Sequence, residues 1–182
     1  KWNLSSIAYV QDYGTAAIVQ GGEGGSEAFK RNPNTLSFDR NKKSYADLYK
    51  LGPGSFERKM LDGTREIFSH VGPTGLIFRT HLIDPSGNTV TFGWGNNLTE
   101  TTLLTVTDAI GQQTVFSYAN GGVLPTRITD PFGRFASFQY DNDGRLIGIT
   151  DVIGITSQFS YIPMSDTISS MTTPYGQTSF AS

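Results

Sequence analysis

One unit is written several times along this chain: Asp-x-x-Gly, four residues, then Phe-x-Tyr. It occurs as Asp108-Ala-Ile-Gly111 with Phe116 and Tyr118, as Asp130-Pro-Phe-Gly133 with Phe138 and Tyr140, and as Asp151-Val-Ile-Gly154 with Phe159 and Tyr161. An upstream copy, Asp84-Pro-Ser-Gly87, leads to Phe92 and Trp94, and a decayed one, Thr173-Pro-Tyr-Gly176, is followed by Phe180. The glycines at 87, 111, 133, 154 and 176 are 24, 22, 21 and 22 residues apart. A period of this length marks a stacked supersecondary unit and restricts the chain to a repeat architecture.

The unit reads as a β-hairpin. Phe and Tyr two positions apart share one face of a strand, because side chains alternate. Turn residues follow each Tyr, as in Ala119-Asn-Gly-Gly122 and Asp141-Asn-Asp-Gly144, and a second β-rich run comes next. An apolar residue stands five before each glycine: Leu82, Val106, Ile128, Ile149 and Met171. Two strands of about six residues are a typical hairpin. Gly in the Asp-x-x-Gly turn supplies a positive φ, and the Asp side chain accepts from the backbone amides that follow. The expected fold is all-β: tandem antiparallel hairpins, about a dozen strands, forming a long curved sheet.

Residues 1–55 read as an irregular β-rich lead-in and 56–182 as the repeats. Trp2 to Val19 suggests two short strands around a turn near Asp12. Gly21-Gly-Glu-Gly-Gly-Ser26 reads as a flexible loop in which Gly24 has no required geometry. It is not a phosphate loop, since no Gly-Lys-Ser/Thr follows. Leu36 to Phe38 suggests a strand, and Asn41 to Leu51 the one helical turn. Asp62-Gly63 between two β-rich runs predicts a two-residue type I′ hairpin. Phe68 and His70 then occupy the Phe and Tyr places of a degenerate first copy.

Gly144-Arg-Leu-Ile-Gly-Ile-Thr-Asp151 together with Tyr140-Asp141 resembles the YD-repeat, or Rhs-repeat, family. The resemblance covers 84–180 well and 56–71 loosely. Members include bacterial polymorphic toxins, the C component of insecticidal toxin complexes, wall-associated proteins and animal teneurins. The resemblance implies a β-sheet shell or spiral, a structural role without catalysis, and a secreted or cell-surface bacterial location. It also implies partners: flanking repeats of the same polypeptide, further copies joined through sheet edges, an encapsulated toxin, or a surface glycan or protein. The absence of an initiator Met and a last repeat that stops mid-strand suggest a piece of a longer chain.

Composition narrows the chemistry. Charged residues are 16%, the net charge is −2 and there is no cysteine. That gives no nucleic-acid footprint and removes disulfides and thiolate chemistry. No apolar run approaches a membrane span. The two histidines, His70 and His81, come with no nucleophile elbow and no His-Glu-x-x-His. Asp141-Asn-Asp-Gly144 resembles the start of a calcium loop, but its twelfth position is Val152. Pro125-Thr-Arg-Ile-Thr-Asp130-Pro-Phe-Gly133 resembles the aspartyl self-cleavage element of bacterial toxin members. Arg134 stands where that pattern has Leu, and Asp151 lacks a following Pro, so the second carboxylate of a proton-sharing dyad is not marked. No cofactor, metal or catalytic residue is assigned.

The remaining candidate is the aromatic ladder: Phe92, Phe116, Phe138 and Phe159 with Trp94, Tyr118, Tyr140 and Tyr161. It reads as a core column that holds neighbouring hairpins in register, with the Tyr hydroxyls reaching water or backbone. The alternative is a platform on which glycans or proteins dock, making the chain an adhesive module.

Overall fold

The computed structural model describes residues 7–22, 24–35, 37–119 and 122–180. Trp2 and Leu4 of the first expected strand, Leu36, and Asn120 and Gly121 of one expected turn lie outside them. Sixteen strands and no helix are found among the described residues, and every pairing described below is antiparallel. The strand count exceeds the expected dozen because the lead-in is itself paired sheet. The chain divides into two compact units, Lys1–Gln112 and Gln113–Ser182. The change from lead-in to repeats at 55/56 falls inside the first.

In the first unit β1 (Tyr9–Asp12), β2 (Ala16–Gln20) and β3 (Ser26–Lys30) form a meander. A second run, β4 (Asp47–Gly52), β5 (Ser55–Lys59), β6 (Arg65–Val71), β7 (Ile77–Ile83), β8 (Thr89–Asn96) and β9 (Thr101–Thr107), pairs each strand with the next. The two runs meet at β7. Its first residues pair with β1, as Tyr9↔Phe78 and Val10↔Ile77, while His81, Leu82 and Ile83 pair with β8. The lead-in thereby branches from the sheet and packs against it. Period-2 apolar residues supply the core: Val10, Ala17, Val19 and Phe29 from β1–β3 meet Leu48, Phe56, Phe68 and Ile77. Burial of a Phe or Leu side chain stabilises by roughly 1.5–3 kcal/mol relative to exposure.

Charges lie inside this core. Glu66, only 3% exposed, accepts from Arg58 at 2.8 Å and from Arg79 at 2.6 Å. Arg58 also bridges to Glu27 of β3 at 2.9 Å, and the Arg79 guanidinium sits 4.6 Å from the Phe92 ring centroid. Two carboxylates and two guanidiniums alternate, so the buried charge is balanced across β3, β5, β6 and β7.

The second unit is a single meander: β10 (Gln113–Tyr118), β11 (Pro125–Thr129), β12 (Phe135–Tyr140), β13 (Leu146–Thr150), β14 (Thr156–Tyr161), β15 (Ile168–Thr173) and β16 (Gly176–Ser179). One face carries Phe116, Ile128, Ala136, Phe138, Ile149, Phe159 and Met171. The other carries polar pairs such as Thr150 and Thr156, whose hydroxyls are 2.9 Å apart.

Two local expectations are corrected and a third holds only as a single turn. In the 41–51 stretch Tyr45 N–H donates to Asn41 O at 3.0 Å, one helical-type turn that does not continue. Asn41 closes a turn by donating to Ala46 O, its Oδ1 accepts from Lys43 and Ser44, Tyr45 takes φ +56°, and β4 follows. Local side-chain bonding competes with a helix too short to nucleate. Asp62-Gly63 is not a two-residue type I′ turn: Met60 N–H donates to Thr64 O and Gly63 N–H to Met60 O, a type I turn followed by a left-handed glycine. The glycine-rich segment is built the same way. Gly21 N–H donates to Gly25 O, Gly24 N–H to Gly21 O, and Gly24 has φ +87°. Gly24 therefore has a required geometry after all.

Candidate functional site

The repeat turns share one geometry. At Asp84, Asp108, Asp130 and Asp151 the Asp N–H donates to the carbonyl four residues on, and the N–H of Gly87, Gly111, Gly133 or Gly154 donates back to the Asp carbonyl. These glycines have φ between +82° and +91°, the left-handed region that closes a type I turn with a bulge. The same Asp carboxylate accepts two amides, from the second and fourth residues beyond it: Ser86 and Asn88, Ile110 and Gln112, Phe132 and Arg134, Ile153 and Ile155. Gly176 differs: its φ is +141°, and Thr173 pairs with it directly across a two-residue loop.

The expected turn at Asp141-Asn-Asp-Gly144 is present at the opposite end of a hairpin, and what sequence reasoning missed is that it has the same geometry. Asp141 accepts from Asp143 and Arg145 amides, and Gly144 has φ +77°. The Asp-x-x-Gly spacing was the available signal. The second oxygen of Asp141 pairs with Arg145 Nε at 2.8 Å, and Arg145 also reaches Asp143 at 3.2 Å. The loop is thus filled by its own arginine. Among the described residues no cluster of three or more His, Asp or Glu side chains is placed to hold a metal.

The ladder is built from cross-strand pairs. Phe92 faces Val106, Phe116 faces Ile128, Phe138 faces Ile149, and Phe159 faces Met171. The apolar residue five before Gly111, Gly133, Gly154 and Gly176 is thus the partner of the Phe, whereas Leu82, five before Gly87, pairs with Glu66 and Val90. Burial is graded: Phe92 is 5% exposed and Phe116 9%, whereas Phe138 and Phe159 are half-buried.

Immediately before each terminal aromatic the register slips, at Gly93/Trp94, Ser117/Tyr118, Gln139/Tyr140 and Ser160/Tyr161. A bulge re-aims a side chain. Here Tyr140 donates its hydroxyl to Pro125 O at 2.9 Å, and Tyr161 donates to Leu146 O at 2.7 Å. Trp94 Nε1–H donates to Arg79 O at 2.8 Å. Each acceptor lies fifteen residues upstream of its donor. Burial pushes the Tyr140 and Tyr161 phenols above the ordinary value, as expected for hydroxyls held protonated against carbonyls.

The candidate catalytic groups do not converge. His81 Nδ1 lies 3.0 Å from Thr80 Oγ1, itself 2.8 Å from Ser69 Oγ, while Asp84 is held by its own turn. His70, in a Tyr place, meets Asn96 Oδ1 at 2.9 Å and stacks on Trp94. Both oxygens of Asp130 are engaged, one by the turn amides and the other by Arg134 Nε at 2.6 Å. Desolvation opposes ionisation of Asp130, but the Arg134 guanidinium together with the Arg134 and Phe132 amides outweighs it and holds the carboxyl below its usual range.

A turn of fixed geometry, a Phe facing an aliphatic residue and an aromatic donor reaching upstream define the repeat, and β11 to β13 contain one full set. Residues 122–154 match the RHS Repeat family model. The matched RHS repeat begins just before β11 and ends at Gly154 of the Asp151 turn. No curated protein matches the chain. No helix among the described residues is long and apolar enough to cross a membrane.

Proposed function

We propose that this chain is a non-catalytic structural scaffold, a segment of an RHS-repeat shell in a large secreted or surface protein of a bacterium. One observation carries the reading: the side chains that define the repeat are committed to holding hairpins together. The Asp carboxylates accept turn amides, the Phe rings face aliphatic partners, and the Tyr and Trp donors bind backbone carbonyls. None is left converging on a space where a substrate would react. In such a shell the partners are flanking repeats, further copies of the chain, or an enclosed toxin. Among the described residues β16 pairs only with β15, and all four of its residues are exposed, which suits continuation by another strand.

A second reading, an adhesive module for glycans or proteins, draws support from different aromatics. Phe132 is 71% exposed and Tyr175 85%, both at turn tips rather than in the ladder. Two variants separate the readings. A scaffold loses about 2 kcal/mol with Phe138→Ala, roughly half the cost of a fully buried ring, and tolerates Phe132→Ala. An adhesive module loses retention on a glycan or protein array with Phe132→Ala while its melting temperature stays unchanged, and that result overturns the scaffold.

A further inference from the structure

The loop of the β8–β9 hairpin has a chemistry that none of the Asp-x-x-Gly turns shares. The two strands close on the pair Asn96↔Thr101, and the loop between them is Asn97-Leu-Thr-Glu100, with all four residues exposed. It folds on its first residue. Asn97 N–H donates to Glu100 O at 3.0 Å, and Asn97 Oδ1 accepts from the amides of Thr99 at 2.9 Å and Glu100 at 2.7 Å. Asn favours such a turn because its side chain bonds the backbone two residues on.

The turn uses only the oxygen of the carboxamide. Asn97 Nδ2 donates to no described residue. At Asn41, Asn88 and Asn96 that nitrogen is engaged instead, donating to Ala28 O, to Asp84 Oδ2 at 2.7 Å and to Val71 O at 3.0 Å. Thr99 Oγ1 is likewise bonded to no described residue. Leu98 between them is 96% exposed, so nothing in the fold covers it.

An Asn two positions before Thr, with a residue other than Pro between them, is the acceptor pattern for N-glycosylation, and it must lie at the surface to be used. Asn32 supplies an internal comparison. Its Oδ1 caps a turn in the same way, accepting from the Asn34 and Thr35 amides. Pro33 follows it, however, and Asn34 stands where Thr99 does. Asn3-Leu-Ser5 carries the acceptor pattern but lies outside the described residues.

We propose that Asn97 is an N-glycosylation site that takes a sugar activated as its diphosphate. Nδ2 attacks the anomeric carbon and gives up one proton to a base of the transferase. An N–C bond forms, the C–O bond to the diphosphate breaks, and the nucleoside diphosphate or lipid pyrophosphate leaves with the electron pair; nothing is oxidised or reduced. Oδ1 keeps both amide bonds, so the turn survives the addition, and the sugar spreads over Leu98. The inference goes beyond the scaffold reading and does not depend on it.

The test uses the folded full chain and two donors. One arm pairs UDP-glucose with a soluble N-glycosyltransferase. The other pairs an oligosaccharide on a lipid pyrophosphate with an oligosaccharyltransferase that reads Asn-x-Ser/Thr. Peptide mass spectrometry locates the products. The peptide holding Asn97 gains sugar in at least one arm, which identifies the kind of donor, and the peptide holding Asn32 gains none in either. Asn97→Gln and Thr99→Ala each lose the modification, and Thr99→Ser keeps it, with circular dichroism spectra unchanged in all three. No sugar at Asn97 in either arm overturns the proposal. So does sugar that appears there only after unfolding in urea, or equal modification of Thr99→Ala.

Discussion

The aromatic donors that reach back fifteen residues lend themselves to a quantitative test. Tyr140→Phe and Tyr161→Phe remove only a hydroxyl from each ring and leave the ring packing in place. Each lost bond has a net worth of about 1 kcal/mol, within a range of about 0.5–1.5. The two donors sit on successive hairpins and bind different carbonyls, Pro125 O and Leu146 O, so the double variant loses about 2 kcal/mol. For a chain of this size that lowers the melting temperature by roughly 4–8 °C. Tyr175→Phe, whose ring is exposed, is the control and shifts nothing. The double variant also has a pH signature. Both phenols titrate above the ordinary value in the folded state because they are buried. A raised folded pKa gives stability that is complete below the unfolded value, about 10, and is lost as pH rises through the folded one. The gap between wild type and the double variant therefore narrows above about pH 10 in urea titrations followed by circular dichroism. A double variant that loses less than about 0.5 kcal/mol, or a gap that widens at alkaline pH, refutes the role given to these hydroxyls.

Gly133→Val and Gly24→Val should each cost about 1–2 kcal/mol in urea denaturation, since both glycines are left-handed and a β-branched residue is strained there. Open space surrounds both, so steric clash does not confuse the comparison, and a silent Gly24→Val would show that its turn relaxes freely. Glu66→Gln should destabilise the chain by about 3–5 kcal/mol by leaving Arg58 and Arg79 facing a neutral amide; a neutral result by calorimetry would mean that the charges are not desolvated. Acid should also unfold the chain. The Asn88 side chain and backbone amides hold the Asp84 carboxyl low, and the Arg145 amide and guanidinium do the same for Asp141. Depressed carboxylates contribute stability that is present above about pH 4 and lost as pH falls through their folded values. The acid slope in melting temperature should be shallower in Asp84→Asn/Asp141→Asn, and an unchanged slope counts against these turns as its source.

The repeats were legible because their information is local. Period-2 spacing puts Phe138 and Ile149 on one face, and Asp-x-x-Gly fixes both the turn and the residue that caps it. The lead-in was less legible because what holds it is not local. Nothing in Tyr9-Val10 names Phe78-Ile77 as its pairing partner. Arg58 and Glu66 look like surface residues until their parity is compared with Phe56 and Phe68, which point inward two positions away. Charges at inward positions of two paired strands were the signal, but the balancing Glu27 comes from β3, far along the chain, and Arg79 from β7, the strand after β6. The ladder and its alternative use were both visible in the sequence; the upstream carbonyls were not, since any backbone oxygen is invisible to residue identity.

The distance from each aromatic donor to its acceptor also bears on how such a chain changes in length. Tyr140 reaches Pro125 and Tyr161 reaches Leu146 over the same fifteen residues, so each hairpin is fastened to its predecessor by information carried within its own stretch of gene. Duplicating or deleting one whole period leaves every remaining donor with a carbonyl at the right distance. Removing a single residue between donor and acceptor breaks the fastening and flips the faces of the strand that follows. Recombination between repeats is thus tolerated in whole units only, and a lineage built this way can lengthen or shorten its array in quantised steps while point insertions are purged from within the strands.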